Sequence, residues 1–353
     1  MEKHKIFIIL VLGLLFCATS CSCSCSESSP SLTVSPDLVQ RFINTYQSNK
    51  SLDELPTNCQ FSTSKGRRRY QEDRFLCDLD LKILFHGFQK GKLIKLGLVA
   101  VFDGHIGEEA SDMVSKIFLP KFRINILNSN HPKYYNPLNN LIEPDTSNFN
   151  IIEEINYMEV LKESLVSTIM DVDVEFSKEA VTKDLYSGTT AVVALLVDDH
   201  ILVANVGDSK ALLCSVNHEN EGGLLHQQLT RDHNALIHEE RSRIEAAGGH
   251  IFDWKVPLVM GHFPMTRAIG DVPLKRYGII AEPEVTGWKA VSANDSFLVV
   301  ASDGIFESLT PKDVCNLLAG DDGGDKTAAD FIVQRAYEKG SSDNLSVVVV
   351  PLR

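Results

Sequence analysis

The chain has 353 residues, of which 44% are hydrophobic and 23% charged, and its 47 acidic residues outnumber its 34 lysines and arginines. This composition is that of a globular protein with ample apolar material for a core. The formal net charge of −13 excludes a general affinity for nucleic acid or anionic lipid, because no basic stretch longer than residues 67–69 offsets the acidic field.

Residues 1–25 have the features of a secretory signal. Lys3 and Lys5 precede an apolar run over residues 6–17, and small residues then offer a site for signal peptidase. The run is shorter than the roughly 20 residues that cross a bilayer. We therefore expect a signal peptide here, and an uncleaved segment that associates with a membrane is the alternative.

The rest of the chain predicts one large domain after a short lead. Residues 26–57 read as a Ser/Pro-rich linker followed by a short helix that begins near Pro36. Residues 58–353 contain no second linker and no internal repeat. A polar insertion over residues 125–150 interrupts this domain. We interpret it as a disordered excursion, with a partner-binding loop as the alternative.

Short apolar runs rich in β-branched residues predict buried strands in this domain. They cover residues 97–103, 190–199, 201–208, 210–216, 297–303 and 345–352. Several are separated by only a few residues, which favours antiparallel hairpins. Helical patterns cover residues 160–179 and 239–247, and another helix opens at Thr310. Helices packed on antiparallel sheets predict an α+β layered fold.

Four cysteines lie within the domain, namely Cys59, Cys77, Cys214 and Cys315. They are widely spaced and form no CxxC pair, so we expect neither a zinc site nor a dense disulfide framework. Cys214 and Cys315 sit inside apolar patterns, and we interpret them as buried free thiols.

Three carboxylates stand where predicted strands end, at Asp103, Asp208 and Asp303, and three more lie in GRRRYQED and just before the last predicted strand. The acids are Glu72, Asp73, Asp103, Asp208, Asp303 and Asp343. Ordinary turn chemistry is the better explanation of any single aspartate followed by a small residue, and only the three together favour a site. Several buried together need a compensating charge, and oxygen ligands without a His or Cys cluster favour Mg²⁺ or Mn²⁺.

Two more residues point to phosphate chemistry. Sites in which two metal ions share a water molecule most often catalyse the hydrolysis of phosphate esters. Arg68, four residues before Glu72, could bind phosphate oxygens through two N–H groups, although an arginine run is often only a solvated surface. His105, two residues after Asp103, could act as a general acid, with a structural histidine as the alternative.

The chain resembles the metal-dependent protein phosphatases of type 2C from about Cys59 to its end. The motifs that carry the resemblance follow in order: RRYQED, VFDGHIG, SGTTA, ANVGDSKALL, LTRDHN, EERSRIEAAGG, TRAIGD, ASDGIFE and SSDNLSVVVV. The resemblance implies a central antiparallel β-sandwich flanked by helices, in four αββα layers. It also implies a binuclear Mg²⁺ or Mn²⁺ centre. The implied reaction is hydrolysis of protein phosphoserine and phosphothreonine by a metal-bridged water, without a phosphoenzyme.

The resemblance also implies a role for each matching residue. Asp73, Asp103, Asp303 and Asp343 match the metal-binding acids, Glu72 would hold metal-bound water, Gly104 would offer a carbonyl, Arg68 would bind phosphate, His105 would be the general acid, and Asp208 with Asp303 would form a weaker third metal site. Three positions depart from the family pattern. They are Ile106, Lys210 and Glu307, of which Glu307 puts the third site in doubt.

A phosphoprotein substrate and a monomeric enzyme are the expectation, and an inactive scaffold that binds phosphoproteins is the alternative. The N-terminal signal predicts a secretory or membrane-associated location. Asn49, Asn294 and Asn344 lie in N-x-S sequons, and a glycan on Asn344 would crowd Asp343. Either the protein is cytoplasmic, which is the alternative, or Asn344 is too buried to be modified.

Overall fold

The computed structural model describes residues 59–85, 92–129, 146–216, 223–319 and 327–352. The predicted signal segment and the predicted linker with its short helix lie outside the described residues. Most of the predicted polar insertion does so too, but its flanks at residues 125–129 and 146–150 are helical.

The described residues form short and long strands in roughly equal number. The strands are β1 Gln60–Ser64, β2 Arg74–Phe85, β3 Lys92–Phe102, β4 Gly104–His105, β5 Gly188–Thr189, β6 Ala191–Val197, β7 His200–Val206, β8 Lys210–Val216, β9 Leu224–Gln228, β10 Ile251–Phe252, β11 Leu258–Val259, β12 Ile269–Gly270, β13 Glu284–Val285, β14 Lys289–Ala290, β15 Asp295–Ala301 and β16 Leu345–Pro351. All six predicted strands are confirmed, as β3, β6, β7, β8, β15 and β16.

Helices separate and flank these strands. They are α1 Glu109–Ser129, α2 Thr146–Lys183, α3 His238–Ala246, α4 Val272–Lys275, α5 Asp303–Phe306, α6 Pro311–Ala319 and α7 Ala328–Glu338. The predicted helices at 160–179, at 239–247 and after Thr310 are confirmed as parts of α2, α3 and α6. No helix among the described residues is both long and apolar enough to cross a bilayer.

Two antiparallel sheets face each other. One has the order β1-β16-β15-β8-β9, and the other has the order β13-β7-β6-β3-β2 with β14 also paired to β7. The short separation between two predicted strands correctly indicated the antiparallel hairpin of β6 with β7. The equally short separation of β7 and β8 did not, because these two strands lie in different sheets. Two small sheets, β12-β5-β4 and β10-β11, complete the pairing.

The side chains of β3 show how the layers form. Leu96, Leu98 and Ala100 join a core cluster with α1 and α2, whereas Val99 and Val101 join a cluster between the two sheets. This alternation explains the continuous apolar run, because a strand covered on both faces has no polar side. A third cluster joins the five-stranded sheet to α6 and α7. The order helices, sheet, sheet, helices confirms the αββα layers.

The prediction that Cys214 and Cys315 are free thiols was wrong. Cys59 forms a disulfide with Cys77, and Cys214 forms one with Cys315. In each pair the partners are distant in sequence, by 18 and 101 residues. Sequence spacing alone could not show that the fold brings their Cα atoms to 6.7 and 5.5 Å, within the range that a disulfide spans.

Candidate active site and metal centre

The predicted aspartates meet at one end of the sandwich. Asp103 follows β3, Asp208 follows β7, and Asp303 follows β15 as the first residue of α5. Asp73 and Asp343 come just before β2 and β16. Neighbouring antiparallel strands bring these ends together, and the main-chain N–H of Asp303 donates to Asp103 Oδ2 at 3.3 Å.

These carboxyl groups are close enough to alter one another's ionisation. Burial raises the pKa of Asp103 well above its ordinary value, and the charges of Asp73, Asp303, Asp208 and Asp343 raise it further. Burial also raises the pKa of Asp73 to about 6 and that of Asp208 to about 7. A cluster of this kind strongly favours a bound positive charge.

The donor set fits a hard divalent cation. Asp73 Oδ2 accepts a 2.9 Å hydrogen bond from Ser302 Oγ, whereas the buried Oδ1 has no hydrogen-bond partner within the described ranges. A buried carboxylate oxygen without a partner is costly unless a cation binds it. No three His, Cys, Asp or Glu side chains in the described part of the chain already stand as a preformed metal-binding group. The described acids therefore lie near one another, but they do not already surround a single metal position.

The SGTTA motif braces Asp103. The main-chain N–H of Asp103 donates to Thr190 Oγ1 at 3.1 Å, and its carbonyl accepts from the main-chain N–H of Thr190 at 2.9 Å and from Thr189 Oγ1 at 3.1 Å. Thr190 Oγ1 also lies 2.8 Å from Ser209 Oγ, next to Asp208. Both threonines are buried. They hold the turns of Asp103 and Asp208 in fixed relation.

The segment that carries Glu72 is tied to the start of β16 by Asn344. Its Oδ1 accepts from the Glu72 main-chain N–H at 2.8 Å, and its Nδ2 donates to the carbonyls of Lys65 and Tyr70 at 2.9 Å each. Asn344 is only 4% exposed. Sequence reasoning identified it only as a sequon. The amide in fact positions the loop that carries Arg68 and Glu72.

Glu72 and Gly104 lie beside each other. Glu72 Oε1 accepts from the main-chain N–H of Gly107 at 2.8 Å. A Cβ at Gly104 would collide with the Glu72 carbonyl oxygen, so this close approach requires glycine. The predicted contact of either residue with a metal or its water stays a prediction.

Arg68 reaches the acid cluster. Its Nη2 lies 2.6 Å from Asp343 Oδ2, and its side chain remains 53% exposed. The guanidinium therefore stands at the rim of the cluster, where an incoming dianion would meet it. Burial plays no part in fixing it there, so a ligand can draw it away from Asp343 at little cost.

His105 has a buried carboxylate partner that the sequence did not reveal. Its Nε2 lies 2.7 Å from Asp271 Oδ2, and Asp271 is 1% exposed. Burial alone would lower the pKa of His105, but the charge and hydrogen bond of Asp271 outweigh it and raise that pKa. A side chain at Gly188 would strike both groups. Asp271 is the last residue of the quoted TRAIGD motif, which was the one available signal.

Glu307 and Lys210, which depart from the family pattern, both make polar contacts in the structure. Glu307 accepts from the main-chain N–H of Ser342 at 2.7 Å and from Ser341 Oγ at 3.0 Å, so it braces the turn that precedes Asp343. Lys210 pairs with Asp232. The third departure, Ile106, adopts φ 58° and is 66% exposed.

Comparisons with known proteins agree with this geometry. Residues 57–345 match the family model described as protein phosphatase 2C. The chain is 39% identical to a putative protein phosphatase 2C 76 of Oryza sativa subsp. japonica, over 84% of this chain and 74% of that protein. It is 38% identical to a probable protein phosphatase 2C 51 of Arabidopsis thaliana, over 84% and 71%.

Solved structures show the same fold. The crystal structure of a serine-threonine phosphatase 2C from Toxoplasma gondii has a TM-score of 0.64 and 20% identity, over 84% of this chain and 94% of that one. The fold, together with a family match over residues 57–345, identifies the class of the protein as a phosphatase. The chain belongs to the protein phosphatase 2C family, and this membership makes it a metal-dependent enzyme that dephosphorylates serine and threonine residues of proteins.

Proposed function

We propose that this enzyme removes phosphate from phosphoserine and phosphothreonine in proteins by direct attack of water, without a phosphorylated enzyme intermediate. The observation that carries the proposal is the convergence of five buried or half-buried aspartates beside the exposed guanidinium of Arg68. All these groups come from one chain, so the proposed site needs no residue from a second subunit, which supports the proposal of a monomeric enzyme.

The acids would hold two Mg²⁺ or Mn²⁺ ions. The proposed ligands are Asp73, Asp103, Asp303 and Asp343, with the Gly104 carbonyl, and with Glu72 acting through water. When bound, such ions supply positive charge at the phosphate and lower the pKa of water so that it is a nucleophile at neutral pH. Asp208 with Asp303 is the proposed weaker third site.

Arg68 would bind the substrate phosphate. A guanidinium offers paired N–H donors that match phosphate oxygens, and it stays charged at every physiological pH. Its ion pair with Asp343 keeps it at the cluster before substrate arrives. Binding of a phosphate then replaces or shares that pair.

His105 would protonate the departing serine or threonine oxygen. The Asp271 carboxylate orients the ring through Nε2, which leaves the buried Nδ1 without a protein partner among the described residues. By favouring the imidazolium, Asp271 keeps a proton available on the ring. Proton transfer to the leaving oxygen prevents the release of an unstable alkoxide.

Phosphate release from p-nitrophenyl phosphate and from a phosphothreonine peptide, with and without Mn²⁺, tests the proposal. Arg68→Ala should raise KM or lower kcat/KM by tenfold or more, because the phosphate loses its cationic donor. Arg69→Ala, at the exposed neighbour, should leave both values unchanged. If the wild-type domain binds the peptide but releases no phosphate at any Mn²⁺ concentration, the chain is an inactive phosphoprotein-binding scaffold.

The ligand assignment has its own test. Asp303→Asn keeps the size of the side chain and removes its charge, so turnover should fall to background and Mn²⁺ binding measured by calorimetry should weaken. Asp253→Asn, at an exposed carboxylate that pairs with Arg241, is the matched control and should change neither. A near-normal rate in the Asp303 variant would refute the assignment.

A further inference from the structure

The four cysteines of the described chain are all in disulfides that join different layers of the fold. Cys59 precedes β1 of the five-stranded sheet, and Cys77 lies on β2 of the six-stranded sheet. Cys214 lies on β8, and Cys315 lies on the covering helix α6. Disulfides persist in oxidising compartments and are rare in the cytosol, where thiols are kept reduced.

We propose that this domain matures in the secretory pathway as a disulfide-bonded glycoprotein with an N-linked glycan on Asn294, and that its substrates are phosphoproteins of the lumen or the extracellular space. The clause on substrates rests on the proposed phosphatase function. The disulfides, the glycan and the location do not.

Asn294 meets the structural needs of a glycosylation site. It is exposed in the turn that precedes β15, within the sequon Asn294-Asp295-Ser296. Asp303 lies beyond the opposite end of β15. A seven-residue strand is about 20 Å long, so a glycan at Asn294 would leave the acid cluster open.

Asn344 cannot carry a glycan in the folded enzyme. Its Nδ2, the atom that would bear the sugar, donates to two main-chain carbonyls and is buried beneath the loop of Glu72. The folded enzyme therefore has an unmodified Asn344, whichever compartment contains it. The third sequon, at Asn49, lies outside the described residues.

The N-terminal sequence agrees with this location. Lys3 and Lys5 ahead of the apolar run over residues 6–17 have the pattern that directs a chain into the secretory pathway. Two independent features thus favour one compartment, namely the signal-like start and the paired cysteines. The exposed sequon remote from the acids is compatible with it.

The test uses the full chain with its own N-terminus, expressed in a eukaryotic cell. Free thiols are alkylated in the intact cells, and non-reducing digestion with mass spectrometry then identifies linked peptides. We expect a Cys59–Cys77 and a Cys214–Cys315 peptide pair. Recovery of these four cysteines as alkylated thiols would overturn the proposal.

The glycan is tested on the same protein. Peptide N-glycosidase should increase gel mobility, and Ser296→Ala should remove the part of the shift due to Asn294, whereas Ser296→Thr, which preserves the sequon, should retain it. An unchanged shift in Ser296→Ala would refute modification at Asn294. Neither readout depends on phosphate release, so failure here is distinguishable from failure of the phosphatase proposal.

Discussion

The Asn344 amide holds together two segments that carry four of the proposed site residues. One segment contains Arg68, Glu72 and Asp73, and the other contains Asp343. Both polar atoms of the amide are used, Oδ1 once as acceptor and Nδ2 twice as donor. Asn344 therefore determines the relative position of residues that are about 270 positions apart in the chain.

Asn344→Asp keeps an acceptor but removes both donors and adds a charge beside the acids. The carbonyls of Lys65 and Tyr70 would lose their donor, and this loss should lower the free energy of unfolding by about 3 kcal/mol in total. We expect Mn²⁺ binding to weaken by tenfold or more, measured by calorimetry on the folded variant. Asn316→Asp, at an exposed position on α6, is the control. Unchanged stability and Mn²⁺ affinity would show that the amide does not position the loop.

His233 gives the fold a pH dependence of predictable sign. The ring is fully buried, its Nδ1 accepts from the main-chain N–H of Gly207 at 3.1 Å, and its Nε2 lies 3.2 Å from Glu284 Oε2. Burial and then the charge of Arg267 lower the pKa of His233 to about 4. The ring is therefore neutral in the folded enzyme, since protonation would displace the bond from Gly207.

Because the unfolded histidine titrates near its ordinary pKa of about 6.5, acid favours the unfolded chain as pH falls from that value towards 4. Between pH 7.5 and pH 5 this group should cost about 2 kcal/mol of stability. Urea unfolding at both pH values measures the loss, and His233→Asn should reduce the difference. The exposed His250→Asn is the control and should keep the wild-type difference. The same pH dependence in His233→Asn would contradict the assignment.

The sequence revealed the acids of the site but not the residues that hold the site in position. Asp103, Asp208 and Asp303 could be found because they stand where apolar strands end, which is a local pattern. Asp271 lies 166 residues from His105, and Asn344 supports carbonyls more than 270 residues away. Such roles depend on long-range contacts that no local pattern encodes.

Strands that are buried on both faces were predictable from the sequence. Strands that combine charged and apolar residues were not. β3 and β16 read as continuous apolar runs because each contributes side chains to two core clusters. β2 lies at the edge of its sheet, mixes charged with apolar residues and is irregular between Asp78 and Leu81, so its sequence lacks that run. α1 was missed too, since it contains Pro120, which tertiary packing accommodates as a buried residue.

The disulfide between β8 and α6 should contribute more to stability than the one between the sheets. It closes a loop of 101 residues, against 18 for Cys59–Cys77. By the chain-entropy model, loops of these sizes are worth about 4.7 and 3 kcal/mol. We expect Cys214→Ala with Cys315→Ala to lower the midpoint of thermal unfolding more than Cys59→Ala with Cys77→Ala.

Calorimetry of both double variants beside the wild-type protein measures this order. The comparison is matched, because each variant replaces two cysteines by alanine and leaves the other bond in place. Equal midpoints in the wild type and both variants would mean that neither bond stabilises the fold. The reverse order would show that strain or local packing, rather than loop length, sets the contribution.

For the whole molecule, the layers were expected and the covalent framework was not. Local patterns predicted antiparallel sheets with helices, and the resemblance supplied the αββα order. That order follows physically from strands that bury both faces, because each sheet then needs a partner sheet on one side and helices on the other. The disulfides connect these layers, and layer contacts are invisible to cysteine spacing.

The Cys214–Cys315 bond also determines what a single break in the backbone would do. Trp254 and Lys255 lie exposed between the two cysteines in sequence. Trypsin acting after Lys255 would make two polypeptides, one with Asp73, Asp103 and Asp208 and the other with Asp303 and Asp343. The two polypeptides would stay covalently linked through the Cys214–Cys315 disulfide until a reductant broke that bond.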